Sequence, residues 1–200
     1  MPVHLRISMV GVLWLLLAPS PARADVYVSP FVGVNFGGSV GTPLNAAVDD
    51  RNRVAWGVAF GGMGGGVFGA ELELSYTPRF YTTDENVVTE NNLLTVMPAL
   101  VLGVPIGGQQ GPGIRPYVTA GAGLVRRSVE FDNLASLSES DLAYVLGGGV
   151  MLFLGDAFGI RGDVRYFRNF SVDELGLSGV DFERGTFNFG RASVGAIFRF

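Results

Sequence analysis

The chain has 200 residues, of which 30 are Gly and none is Cys, and its formal net charge is −4. Without Cys it has no disulfide, thiolate metal site or cysteine nucleophile, and without Lys it has no Schiff-base chemistry. A hydrophobic content of 48% with 16% charged residues is typical of a folded chain and not of a disordered one.

The N-terminal segment has the pattern of an export signal. A polar start around His4 precedes an apolar run over Ile7–Leu17, which is too short to span a bilayer as a helix. Ala22-Arg23-Ala24 supplies the small-x-small cleavage pattern, the alternative being an uncleaved anchor. We expect residues 1–24 to be removed, leaving one mature domain over 25–200 with no histidine and a net charge of −6. Such a charge argues against a nucleic-acid partner.

The rest of the chain alternates with a period of two. Apolar side chains alternate with small or polar ones through Val26–Gly37, Phe68–Tyr76 and Ile160–Tyr166. No apolar stretch is long enough for a transmembrane helix. The pattern predicts eight strands, near residues 26–37, 53–61, 67–77, 92–105, 114–128, 141–154, 158–168 and 186–200.

The predicted connections alternate between long and short. The short ones are Gly-rich, such as Gly62–Gly66 and Gly155-Asp156-Ala157, whereas the long ones hold 12 of the 18 acidic residues. Short periplasmic turns and long outer loops are typical of a bacterial outer-membrane barrel. The predicted fold is therefore all-β, an eight-stranded antiparallel up-and-down transmembrane β-barrel.

The distribution of aromatic residues favours a lipid-facing exterior over a soluble barrel. On the apolar face they gather near both strand ends, as expected for the two interfacial girdles. The girdles predicted from the sequence are Phe36, Trp56, Tyr76, Tyr144 and Tyr166 on the loop side, and Phe60, Phe68, Phe158, Phe198 and Phe200 on the turn side.

Two local features depart from the regular pattern. Pro98 lies in the middle of a predicted strand, where a missing donor predicts a β-bulge or a misplaced strand boundary. Pro30 and Pro116 fall near predicted periplasmic strand ends, where pairing can stop. Phe187 and Phe189 have inward parity, for which a bulge is the available explanation.

The C-terminus carries a recognisable signal. Ser193, Gly195, Phe198 and Phe200 resemble the assembly signal of outer-membrane barrels, in which a polar residue and a Gly precede alternating hydrophobics and a terminal aromatic. Arg115–Gly123 and Arg161–Tyr166 are similar to strands of the small porin-like outer-membrane barrels of the OmpA/OmpX type. This resemblance implies location in the outer membrane of a Gram-negative envelope and assembly by the barrel-assembly machinery.

Strand parity predicts a charged lumen. The inward positions include the acidic residues Glu71, Glu73 and Asp163 together with the basic residues Arg161, Arg165 and Arg191, and Arg115 and Arg199 near the periplasmic mouth. Counted from the turn side of their strands, Glu71 and Arg161 fall at similar depth, and so do Glu73 and Arg165. We therefore expect these residues to pair across the lumen. An eight-stranded barrel has room only for side chains, which favours an ion-pair network. A catalytic carboxylate dyad is the alternative, but arginines lower the pKa that a general base needs raised.

The sequence indicates neither an active site nor a cofactor or metal site. The barrel enzymes of the outer membrane that this chain resembles in fold rely on histidine, and a lone serine lacks its partner base. Acidic residues in the predicted loops lack the spacing of a calcium motif and are interpreted as solvated tips. They are Asp49, Asp50, Asp84, Glu85, Asp173 and Glu174.

Arg126 and Arg168 have lipid-facing parity at the outer ends of their strands. One interpretation is snorkelling to water. The other is a contact with lipopolysaccharide phosphates, since guanidinium groups match phosphate oxygens.

Three functions are compatible with the sequence. The leading hypothesis is a non-catalytic, surface-exposed barrel that supports envelope integrity or interacts through its loops. The second is a small channel of low conductance, and the third is a soluble secreted barrel that binds an apolar ligand. Outer-membrane lipid and lipopolysaccharide are the expected partners, while the loop residues identify no partner of their own.

Overall fold

The computed structural model describes residues 24–40, 53–78, 90–107, 111–131, 134–170 and 187–200. These residues form eight strands, and the predicted export signal, residues 1–24, lies outside the described residues except for Ala24. The strands are β1 (Ala24–Val40), β2 (Arg53–Gly64), β3 (Phe68–Pro78), β4 (Glu90–Gly103), β5 (Gly113–Phe131), β6 (Leu134–Phe153), β7 (Phe158–Asn169) and β8 (Phe187–Arg199).

The strands close into one antiparallel barrel in chain order, with β1 pairing β8. The predicted fold class is therefore confirmed. No helix among the described residues is long and apolar enough to cross a membrane.

The strand pairings show how strongly the strands are tilted. Starting at Tyr27, the paired residues lead once around the wall and return to β1 at Gly38. Tyr27 and Gly38 are eleven positions apart, and one of these positions is the extra residue between Phe36 and Gly38, where the register with β8 shifts. The barrel therefore has a shear of about ten residues and a strand tilt near 40°, within the range of eight-stranded membrane barrels. The path runs through Gly61, Glu71, Ala99, Gly121, Val145, Phe167 and Phe189.

The exterior carries an apolar band bordered by aromatic residues. Phe68 and Tyr76 are eight residues apart on β3, which at about 3.3 Å per residue and a tilt near 40° places them roughly 20 Å apart in height. Trp56 packs edge-on against Tyr76 at 5.6 Å in the upper girdle, and Phe158 packs on Phe198 at 5.6 Å in the lower one. The band therefore matches the thickness that an outer-membrane barrel presents to lipid.

The predicted 12-residue connection between β5 and β6 is wrong. The two strands pair outward as far as Phe131 and Leu134, so that only residues 132–133 separate them. Long and short connections therefore do not alternate without exception. Outside the membrane a strand has no need to alternate apolar and polar side chains, so this pattern does not mark it. Backbone hydrogen bonds in an antiparallel hairpin can continue without such alternation.

Pro98 does not mark a bulge. It pairs with Leu72 on β3, and the register with β5 is the same before and after it. Direct pairing on the β5 side is interrupted between Val96 and Ala99, where the proline lacks a donor. The strand therefore passes through a proline without an extra residue.

The bulge near Phe189 lies in β1 instead. Between Phe36 and Gly38 the register with β8 shifts by one residue, and the intervening Gly37 has a φ of 54°, a conformation that favours glycine. β8 keeps its parity, so the inward position of Phe189 is real.

Candidate functional site

Glu71 lies at the centre of a charged cluster inside the barrel. Period-two geometry places Glu71 and Glu73 of β3 on the same inner face, and both are buried. Arg161 binds Glu71 at two points, through Nη1 to Oε2 and through Nη2 to Oε1 at 3.1 Å. Arg165 donates from Nη2 to Oε1 at 2.6 Å, and the Tyr27 hydroxyl donates to Oε2 at 2.7 Å. Both carboxylate oxygens of Glu71 are therefore occupied.

Arg165 joins the two glutamates. Its Nη1 lies 2.8 Å from Oε2 of Glu73, while its Nη2 bonds Glu71. The other oxygen of Glu73 pairs with Arg191 Nη2. β7 and β8 thus reach across the lumen to β3 at two successive levels.

Asp163 closes the network on the β7 side. Its carboxylate receives Arg161 Nε at 3.0 Å and Arg165 Nε at 3.4 Å. The hydroxyls of Tyr117 and Ser193 also donate to it, at 2.7 and 2.8 Å. Each of the three carboxylates consequently contacts two guanidinium groups, and the six charges balance.

Two tyrosines in the network were not singled out from the sequence. Tyr27 bonds Glu71, and Tyr117 links Arg161 to Asp163, accepting from Arg161 Nε at 2.7 Å. Gly61 makes room for Tyr27, because a Cβ there would lie 2.3 Å from Cζ of the ring. The inward parity of Tyr27 was visible in the sequence and would have indicated its place.

Arg191 forms a second barrier with aromatic rings. Its guanidinium carbon lies 5.0 Å from the Phe31 ring centre and 4.7 Å from that of Phe167. Phe167 stacks on Phe189 with ring centres 4.6 Å apart and planes 7° from parallel. Arg191 also donates to Ser75 Oγ at 2.8 Å. The side chains of β1, β3, β7 and β8 thus meet across the lumen.

A further group of charges lies at the periplasmic mouth, as predicted for Arg115 and Arg199. Asp25 Oδ2 is 3.0 Å from Arg115 Nη2 and 3.9 Å from Arg199 Nη1. Both guanidinium groups lie over the Phe153 ring, at 5.0 and 4.4 Å. Arg199 also donates from Nε to the carbonyl oxygen of Asp156 at 2.6 Å. These contacts tie β1, β5 and β8 to the turn after β6.

Apolar side chains pack in the lumen beside these polar layers. One buried cluster comprises Leu93, Met97, Ala99, Val125, Ala143, Val145, Phe167 and Phe189. A second comprises Tyr27, Met63, Val101, Tyr117, Met151, Phe153 and Ile197. The interior is consequently packed with side chains along much of its height.

The other predicted site residues lie outside this network. Arg126 is exposed and Arg168 partly exposed on the outer wall. Of the terminal residues, Ser193 bonds Asp163, Gly195 has inward parity, Phe198 lies in the lower girdle, and Phe200 is 81% exposed. Among the described residues no group of three acidic, Cys or His side chains could hold a metal ion. The six acidic loop residues fall outside the described ranges.

The sequence matches the family described as "Outer membrane protein beta-barrel domain" over residues 10–200, and the chain belongs to that family. It is an integral β-barrel protein of the bacterial outer membrane, as the resemblance implied. No curated protein matches the sequence.

Solved structures share the fold at low sequence identity. Neisserial surface protein A is 13% identical with a TM-score of 0.65, covering 88% of this chain and 99% of its own. OprG from Pseudomonas aeruginosa is 11% identical with a TM-score of 0.60, covering 88% and 95%. Ail of Yersinia pestis, crystallised with the heparin analogue sucrose octasulfate, is 14% identical with a TM-score of 0.54, covering 88% and 97%. At these identities the likeness concerns the fold alone.

Proposed function

We propose that this protein is a non-catalytic, surface-exposed barrel with a closed lumen, which supports the integrity of the outer envelope or interacts through its outer loops. The observation that carries the proposal is the pairing of Glu71, Glu73 and Asp163 with Arg161, Arg165 and Arg191. These contacts cross a lumen that, in an eight-stranded barrel, is only wide enough to hold side chains.

The same contacts support the absence of catalysis. A carboxylate that acts as a general base must be able to reach a substrate proton, at a pKa near the working pH. Glu71 and Glu73 instead each contact two guanidinium groups inside a packed interior. An ion-pair network that fills space accounts for all six residues, whereas an acid–base dyad leaves the arginines without a purpose.

The proposal includes two partners besides bulk lipid. The barrel-assembly machinery inserts the chain through the C-terminal residues Ser193, Gly195, Phe198 and Phe200. Lipopolysaccharide contacts the outer half of the wall, where Arg126 and Arg168 lie beside the upper girdle. Export through residues 1–24 precedes both steps.

The envelope role is tested by deleting the gene in its host and measuring the entry of a large apolar dye that an intact outer membrane excludes. We expect faster entry in the deletion strain and recovery with the wild-type gene. A variant in which residues 43–50, within the predicted connection between the first two strands, are replaced by a short Gly-Ser linker separates the two roles. If this variant restores the barrier, the barrel itself supports the envelope. If it folds normally and does not restore the barrier, residues 43–50 are needed. Dye entry that is unchanged by the deletion contradicts the envelope role.

A further inference from the structure

Arg126 and Arg168 stand on either side of β6 on the outer wall. Arg126 pairs with Ser140, and Arg168 pairs with Tyr144, so their partners are four residues apart on one strand. Both side chains have the parity of the lipid-facing residues Leu124 and Tyr166, which are themselves exposed. Neither arginine belongs to the lumen network.

The barrel tilt brings the two arginines to nearly the same height. On β6, the partner of Arg126 lies about 10 Å higher, towards the outer side, than the partner of Arg168. From one strand to the next, however, directly paired residues rise by about 3 Å per step from β5 to β7. The two steps raise Arg168 relative to Arg126 and offset most of the difference. The Cα atoms therefore lie within about 4 Å in height and about 16 Å apart along the wall. Neither residue number nor strand order alone reveals this relation.

Their common level is the upper edge of the lipid-facing band. Arg168 pairs directly with Tyr144, whose ring packs at 5.4 Å from that of Phe170. Arg126 pairs with Leu94, next to Tyr76 of the upper girdle in the register of β3 and β4. Aromatic girdles mark the depth of lipid headgroups. Arg126 and Arg168 therefore lie at the depth that an aromatic girdle assigns to lipid headgroups.

We propose that Arg126 and Arg168 form one lipid-binding face across β5, β6 and β7, which binds the phosphate groups of lipopolysaccharide. Planar guanidinium groups form paired hydrogen bonds with phosphate oxygens, and two of them at one level match the anionic plane of the outer leaflet. The site deepens the proposed lipid partnership by naming its residues and chemistry, and it is independent of whether the lumen conducts.

The test measures lipopolysaccharide retained by the full-length protein in detergent, for wild type and for the double variant Arg126→Gln/Arg168→Gln. We expect each arginine to contribute about fivefold, so that the double variant retains at least tenfold less. Arg127→Gln is the matched control, because it removes the neighbouring charge, which contacts Asp141, and leaves Arg126 in place. Gel migration before and after heating verifies that each variant is folded.

Comparing the binding of lipid A with that of dephosphorylated lipid A separates phosphate recognition from apolar contact. Inorganic phosphate and phosphatidylglycerol vesicles test the other sources of phosphate. We expect the protein to bind phosphorylated lipid A more tightly than dephosphorylated lipid A. It is overturned if the folded double variant retains as much lipopolysaccharide as wild type, if dephosphorylated lipid A binds equally well, or if phosphatidylglycerol vesicles show the same arginine dependence. A conducting lumen would contradict the proposed function and leave this result unaffected.

Discussion

Arg161 and Glu71, which are 90 positions apart in the sequence, form a two-point ion pair across the lumen. Both side chains are buried, and the same carboxylate also binds Arg165 and Tyr27. The pair joins β7 to β3 through the interior and not along the wall. The stability of the barrel therefore depends on contacts that cross the lumen as well as on strand pairing.

Replacing Glu71 with Ala is expected to lower the midpoint of unfolding in urea. It leaves Arg161 and Arg165 with one carboxylate fewer each and the buried network with one uncompensated positive charge. An uncompensated buried charge typically costs about 3–5 kcal/mol, less where water enters the lumen. In the double variant Glu71→Ala/Arg161→Ala the loss should be smaller than the sum of the two single losses, because the charges of the network balance again. Additive losses would show that the two residues do not stabilise each other.

Replacing Ser29 with Ala tests whether its hydroxyl supplies the hydrogen bond between β1 and β8 that Pro30 cannot donate. The amide of Phe200 donates to the carbonyl of Val26, and continuing this ladder places Pro30, which has no N–H, opposite the carbonyl of Ala196. The Ser29 hydroxyl donates to that carbonyl at 2.8 Å.

Ser29→Ala should therefore destabilise the folded barrel by about 1–3 kcal/mol, measured by urea unfolding. Ser29→Ala/Pro30→Ala should recover part of the loss, because Ala restores the backbone donor. Ser140→Ala, at an exposed position, serves as the control. A double variant less stable than Ser29→Ala would refute this role of the hydroxyl.

Deleting Phe200 is expected to impair assembly. The residue is 81% exposed at the lower girdle, and its amide donates to the Val26 carbonyl at 2.9 Å, which fastens the last strand to the first. We expect less heat-modifiable protein in the outer membrane and more degraded precursor in the periplasm. Phe158→Leu, in the same girdle but away from the terminus, controls for the loss of an aromatic ring. An unchanged folded yield after deletion would exclude a role in the assembly signal.

Export should remove residues 1–24. N-terminal sequencing of the protein recovered from the outer membrane is expected to read Asp25-Val26-Tyr27. Asp25 would then begin the mature chain with its carboxylate on Arg115. A membrane-embedded chain that begins before Met9 would contradict this processing.

Strand parity predicted much of the lumen from the sequence. Glu71, Glu73 and Asp163 and their arginines lie on the inner face because a strand alternates strictly and a narrow barrel brings opposite walls within reach. The roles of Tyr27 and Tyr117 depend on depth as well as on parity. Depth follows from the shear, which no single strand reveals.

Other features depend on pairing between strands. The outer parts of β5 and β6 lie beyond the lipid-facing alternation, so the apolar pattern that identifies membrane strands does not mark them. The bulge lies at Gly37 on β1, whereas the sequence suggested one near Phe189 on β8, whose inward parity is regular. Pro98 keeps its pairing with Leu72 on β3, whereas pairing is interrupted on the β5 side, which the missing donor would face. Each depends on a partner strand far away in the sequence.

Recording from wild-type protein in planar lipid bilayers measures directly whether the lumen is closed. Two barriers, the Glu71 network and the Arg191 contact with Phe31 and Phe167, predict little or no steady conductance. Glu71→Ala alone should remain poorly conducting, whereas Glu71→Ala combined with Phe167→Ala should admit more ions. A large, stable, ohmic conductance from folded wild-type protein would contradict the closed lumen and establish the channel hypothesis instead.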